Sequence, residues 1–139
     1  MNKFFSPLPF AENYGIAIVR IITGILLLQQ GWESFDQTKM EMYTGWFVER
    51  QYPNPAAWAY AGKIAELLAG IGFVLGLFTR LASVAAVAAF VGIIFILGDK
   101  GKIFGGDQHP FLFILLAVVF LFTGPGKVSV DKLVFRKRR

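Results

Sequence analysis

Four stretches of this chain are apolar for long enough to leave water, and that limits the fold more than any other feature. A bilayer core of about 30 Å is crossed by about 20 mostly apolar helical residues. Residues 14–34, 56–78, 81–97 and 110–123 are the segments of that kind. The fourth is short, so it spans only with little tilt, with local thinning, or with extra turns before Pro110. The expectation is an all-α, integral membrane four-helix bundle built as one domain over residues 1–139. Composition agrees: 55% of residues are apolar and 17% charged, where a soluble domain carries roughly 25% charged residues.

The breaks between segments carry turn chemistry. Pro53-Asn54-Pro55 precedes the second segment, and proline suits a first helical turn. The link Gly76-Leu77-Phe78-Thr79-Arg80 is short, so segments two and three are expected to be antiparallel neighbours. Asp99 to Gln108, with Gly101, Gly105 and Gly106, reads as a loop; no strand precedes these glycines and no GK[ST] follows, so a phosphate cradle is disfavoured. Gly124-Pro125-Gly126 ends segment four, because proline cannot continue the helical ladder. The 35–55 connection is too long for a turn. Its Met40, Tyr43, Trp46 and Phe47 fall on one helical stripe, which predicts a short interfacial helix over 38–48 anchored by Trp46. A lid over a site is the alternative reading of the same stripe. Pro7 and Pro9 near the start, with no small-residue cleavage site after the first apolar block, predict an uncleaved anchor.

Basic residues predict the orientation. With the N-terminus inside, the inner side holds Lys3, Arg80, Lys127, Lys132, Arg136, Lys137, Arg138 and Arg139, and the outer side Lys39, Arg50, Lys100 and Lys102. Eight against four favours N-in and C-in, in the inner (plasma) membrane of a cell, as a multi-pass protein. Much of the net charge of +5 lies in the C-terminal tail, which then faces anionic lipid. No nucleic-acid partner is expected.

The chain has no cysteine and a single histidine, His109. Thiol catalysis, iron–sulfur ligation, zinc–thiolate sites, bis-histidine haem and three-histidine metal sites all lack ligands within the chain. No metal and no covalently bound cofactor is expected. A charge at the centre of a membrane helix costs about 2.5–3.5 kcal/mol, so Arg20, Lys63 and Glu66 should face the bundle. Thr23 and Gln30 share a stripe with Arg20, Lys63 is three residues from Glu66, and an antiparallel match of residue 14 with 78 puts Glu66 level with about residue 26. Arg20, Gln30, Lys63 and Glu66 are therefore expected to form one buried polar cluster, with Thr23 and Trp32 as accessories. Two readings of the cluster stand: a clamp between helices one and two, or a pocket for a head group or a proton. His109, before Pro110, is a capping or solvated loop residue, or a donor to a ligand at the membrane surface. Ala82, Ala85, Ala86, Ala88, Ala89 and Gly92 crowd segment three with small side chains, a packing face that would suit a second subunit in a homo-oligomer. Segment four reads as lipid-facing or as packing surface.

Three ordered motifs resemble the DoxX family. They are Arg20-Ile-Ile-Thr23-Gly24 with Gly31; Glu66-Leu-Leu-Ala-Gly70 followed by Leu75-Gly76-Leu77-Phe78-Thr79-Arg80-Leu-Ala82; and Gly124-Pro125-Gly126-Lys127-Val-Ser129-Val-Asp131. Together they cover nearly the whole chain. One departure is Trp32-Glu33-Ser34, where members often carry a lysine; the next lysine here is Lys39. The resemblance implies a four-helix membrane protein associated with quinone-linked oxidoreductase systems, among them a thiosulfate:quinone oxidoreductase. Three functions follow as alternatives. The first is a membrane subunit that binds quinone or docks a redox partner protein and has no redox centre of its own. The second is a small-solute or proton carrier using Glu66, and the third a non-catalytic assembly protein. No catalytic residue is assigned.

Overall fold

The computed structural model describes residues 9–98, 106 and 108–135, with side chains from Tyr14 onward. Every regular element among them is helical. Helix α1 (Pro9–Trp32) runs into a 3-10 turn (Glu33–Phe35), followed by α2 (Gln37–Glu49), α3 (Pro55–Leu75), α4 (Thr79–Gly92), α5 (Gln108–Thr123) and a short α6 (Val130–Phe135). A π-helical turn, Ile93–Leu97, extends α4. The expectations for the segment before Pro9, the loop around Gly101–Gly105 and the tail 136–139 lie outside the described residues.

Three helical stretches, Tyr14–Phe35, Pro55–Leu75 and Thr79–Leu97, are long and apolar enough to cross a membrane, and Gln108–Thr123 is a shorter apolar helix. They form a four-helix bundle whose outside is apolar: Ile18, Ile22, Leu68, Leu81, Phe95 and Phe122 are all exposed. The core is small and aromatic, with Phe73, Phe90, Phe113 and Phe120 packed among Leu27, Ala69, Ala82, Ala86 and Ala117. The Phe90 and Phe113 rings stack at 5.0 Å, and Phe73 meets Phe120 edge-on at 5.2 Å. Helix α5 thus turns a packing face inward. So does part of the small-residue face of α4: Ala82 and Ala86 are buried in the core, whereas Ala88 points outward.

The turns follow local chemistry. Helix α3 starts with Pro55 in its first turn and ends at Gly76, whose φ of 64° closes the last turn onto the Gly72 carbonyl, with Leu77 N–H also donating to Gly72. Glycine carries that left-handed geometry without a Cβ penalty. Helix α4 then begins after Phe78, itself left-handed at φ 48°.

Glycines set the register between α1 and α3. A Cβ on Gly31 would lie 2.5 Å from the Leu67 backbone, and one on Gly24 would lie 2.7 Å from Val74 N and 2.9 Å from Gly70 O. These contacts put Glu66 level with about residue 32. Matching of segment ends puts it level with about residue 26, so α3 is slid by about six residues, roughly 9 Å at about 1.5 Å per residue. Arg20 accordingly lies toward Phe73 and Gly76, about 18 Å along the axis from Glu66.

Helix α2 caps the bundle at the end where α3 begins. Asp36 accepts from Lys39 N–H at its start. Met40 and Phe47 are buried against Ala59, with Tyr43, Tyr52, Ile96 and Leu97 packed around them. Arg50 fastens its far end by donating to the Leu97 carbonyl.

Candidate functional site

The polar cluster expected from the sequence is two clusters at opposite ends of the bundle. The register explains the separation, because Arg20 cannot span the distance to Glu66.

The first lies at the α2 end. Lys63, on α3, forms ion pairs with Glu66 at 3.1 Å and with Glu33 at 3.4 Å. Glu33, on the 3-10 turn after α1, also pairs with Lys39 at 2.9 Å and accepts a hydrogen bond from the Tyr43 hydroxyl. The Lys63 ammonium lies 4.3 Å from the centre of the Tyr43 ring, within the range of a cation–π contact. Side chains from two helices, α2 and α3, thus converge on one glutamate. Burial and the bond to Glu33 raise the Tyr43 phenol above its ordinary range, and the hydrogen bond from Lys39 to Glu33 raises the Lys39 ammonium. Glu66 is the innermost member at 2% exposure.

Glu33 also lines an open groove of about 650 Å³, together with Gln29, Trp32, Phe35, Asp36, Gln37 and Lys39. Trp32 is largely exposed there, its ring 5.0 Å from Phe35. Of the other residues singled out from the sequence, Gln30 is half-buried and makes no hydrogen bond to this network among the described residues. Thr23 is buried and donates to the Val19 carbonyl of its own helix. His109 is exposed at the start of α5, edge-on to Phe113 at 5.2 Å, apart from the Lys63 network. Glu33 and Tyr43 were missed because each reads locally as a helix end or an interfacial aromatic; the i, i+6 spacing of Glu33 and Lys39 across a helix break was the available signal.

The second cluster joins the C-terminal segment to the bundle at the α6 end. Arg20, fully buried, donates from Nε to the Phe73 carbonyl at 2.8 Å and from Nη2 to the Val128 carbonyl at 2.5 Å. Asp131 accepts from the Phe78 and Thr79 amides at 2.7 and 3.0 Å and donates its own N–H to the Gly76 carbonyl. Ser129 accepts from Lys132 N–H, opening α6. Arg20, Gly76, Thr79, Ser129 and Asp131 come from all three motif blocks quoted above, and the fold gathers them in one latch.

The DoxX family matches residues 15–99. The chain belongs to the DoxX family. A second family, described as TQO small subunit DoxD, matches residues 61–139. Among curated proteins, "Putative oxidoreductase CatD" of Bacillus subtilis is 27% identical over 100% of this chain and 96% of its own length. An uncharacterized membrane protein of Mycobacterium tuberculosis is 27% identical over 88% of the chain and 82% of its own. An uncharacterized protein of Haemophilus influenzae is 28% identical over 89% and 93%. No solved structure matches. The chain is thus a membrane protein of the DoxX family, and its similarity to a relative named a putative oxidoreductase suggests a link to redox systems. Among the described residues no three histidine or acidic side chains gather to hold a metal ion.

Proposed function

We propose that this DoxX-family chain is the membrane subunit of a redox system, with a quinone head group as its ligand at the α2 end and a redox partner protein docking over it. The supporting observation is the double position of Glu33, which faces the groove and is bonded to Lys63, itself paired with buried Glu66. The groove suits a flat, hydrogen-bonding ring. Trp32 and Phe35 offer aromatic surface, and Lys39, Gln29 and Gln37 offer donors. A bound quinone would supply two-electron, two-proton chemistry, with electrons from the partner. The chain's own part is to orient the ring and to manage protons: Glu33 links the groove to Lys63, and Lys63 balances two carboxylates with one positive charge. The carrier alternative is weaker, because alternating access requires α1 and α3 to move, and Gly24, Gly31 and Gly70 leave them no spare room.

The orientation belongs to the same proposal. Eight basic residues against four favour both termini on the cytoplasmic side of the plasma membrane; the α2 end and its groove then face outward.

Extraction of protein purified in mild detergent tests the ligand. The wild type is expected to release quinone above a detergent blank, and Glu33→Gln, with unchanged helicity, to release several-fold less. Equal release from both, or none from the wild type, would overturn the reading.

A further inference from the structure

The α6 end carries a second groove, which the proposed quinone site does not use. It has a volume of about 870 Å³ and lies between the α3–α4 turn, the end of α5, and α6. Binding pockets commonly span about 300–1,000 Å³. Its walls divide by chemistry. Phe78, Leu81 and Phe135 line it with exposed apolar side chains. Arg80 and Lys132 line it too, both exposed, and neither side chain has a hydrogen bond or ion pair among the described residues.

The carboxylate in the wall does not neutralise them. Both oxygens of Asp131 are engaged by the first amides of α4, those of Phe78 and Thr79, where the positive end of the helix dipole answers the negative charge. Two unanswered cations therefore sit beside three apolar side chains, at an end of an apolar bundle where lipid meets water. The latch made by Arg20 and Asp131 keeps α6, and with it Lys132 and Phe135, against α4.

We propose that this groove is a binding site for an anionic phospholipid, with Arg80 and Lys132 on the phosphate and Phe78, Leu81 and Phe135 against the first acyl methylenes. Charge complementarity selects the occupant. A zwitterionic phospholipid brings its own cation to a cationic pair, and a free phosphate leaves the apolar wall uncovered. Basic pockets at the ends of membrane helices hold anionic head groups by the same physics.

Native mass spectrometry of the full chain in mild detergent, titrated with phosphatidylglycerol or phosphatidylcholine, tests this. The wild type is expected to bind one phosphatidylglycerol at least tenfold more tightly than phosphatidylcholine. Arg80→Gln and Lys132→Gln should each weaken that binding several-fold, and the double variant should lose the preference. Changing Arg136, Lys137, Arg138 and Arg139 together to Gln should retain it. Glycerol phosphate, the soluble head-group fragment, should not compete. The proposal is overturned if either single variant binds like wild type, if phosphatidylcholine binds equally well, if the tail variant loses the preference, or if glycerol phosphate displaces the lipid. Both side chains are exposed and unpartnered, so the single variants carry the test even if the double one fails to fold.

Discussion

Lys63 is the residue on which the α2 end depends. It is the only cation in contact with Glu66 among the described residues, and Glu66 is buried in an apolar helix. Removing one partner of a buried pair typically costs about 3–5 kcal/mol, because the other charge is left uncompensated. Lys63→Met should therefore destabilise the protein by about that much in detergent unfolding. Glu66→Gln should cost far less, since the amide oxygen still accepts from the Lys63 ammonium, which keeps Glu33 as its counter-ion, and the Lys63→Met/Glu66→Gln double variant should be clearly more stable than Lys63→Met alone. A double variant no more stable than the single one would show that the pair contributes little. The inward placement of Arg20 and Glu66 and the local Lys63–Glu66 pair are legible in the sequence; the partners of Arg20 are not. Its burial follows from a charge in an apolar segment, but its partners are the Phe73 and Val128 carbonyls, and a main-chain acceptor leaves no mark on the sequence.

Between elements, the α1–α3 seam decides which side chains meet. Residues with no side chain set its register. Gly31→Ala would push a methyl group into the Leu67 backbone at 2.5 Å, and overpacking of that kind costs about 1–3 kcal/mol. Gly62→Ala, on the same pair of helices but with open space around it, should be neutral or stabilising by up to about 1 kcal/mol, the helix propensity difference. Thermal unfolding of the two variants checks this, and equal stability would mean that the seam is not tight. The helices themselves were legible because length and hydropathy suffice to mark a span, and the stripe of α2 was legible from Met40 and Phe47. The register was not. It depends on where Gly24, Gly31 and Gly70 touch, whereas matching segment ends ignores contact; a slide of about six residues exceeds one helical turn and is enough to split the expected cluster.

For the whole molecule, the two ends have different work. The latch of Arg20 and Asp131 ties the C-terminal segment to the bundle, and Glu33, bonded to Lys63 and through it to Glu66, lines the groove at the start of α2. In the orientation proposed from the basic residues, the α6 end faces the cytoplasm. A reporter active only outside the cytoplasm should be silent when fused after Arg139 and active when placed near Arg50; the reverse pattern would invert the topology without altering the fold. The central claim, that the α2 end receives a quinone ring, is tested most directly by photolabelling the purified protein with a short-chain azido-quinone and mapping the modified residues by mass spectrometry. Labelling should concentrate on residues 29–39, compete with unlabelled quinone, and fall in Glu33→Gln. Labelling confined to the α6 end, or insensitive to competitor, would contradict the account.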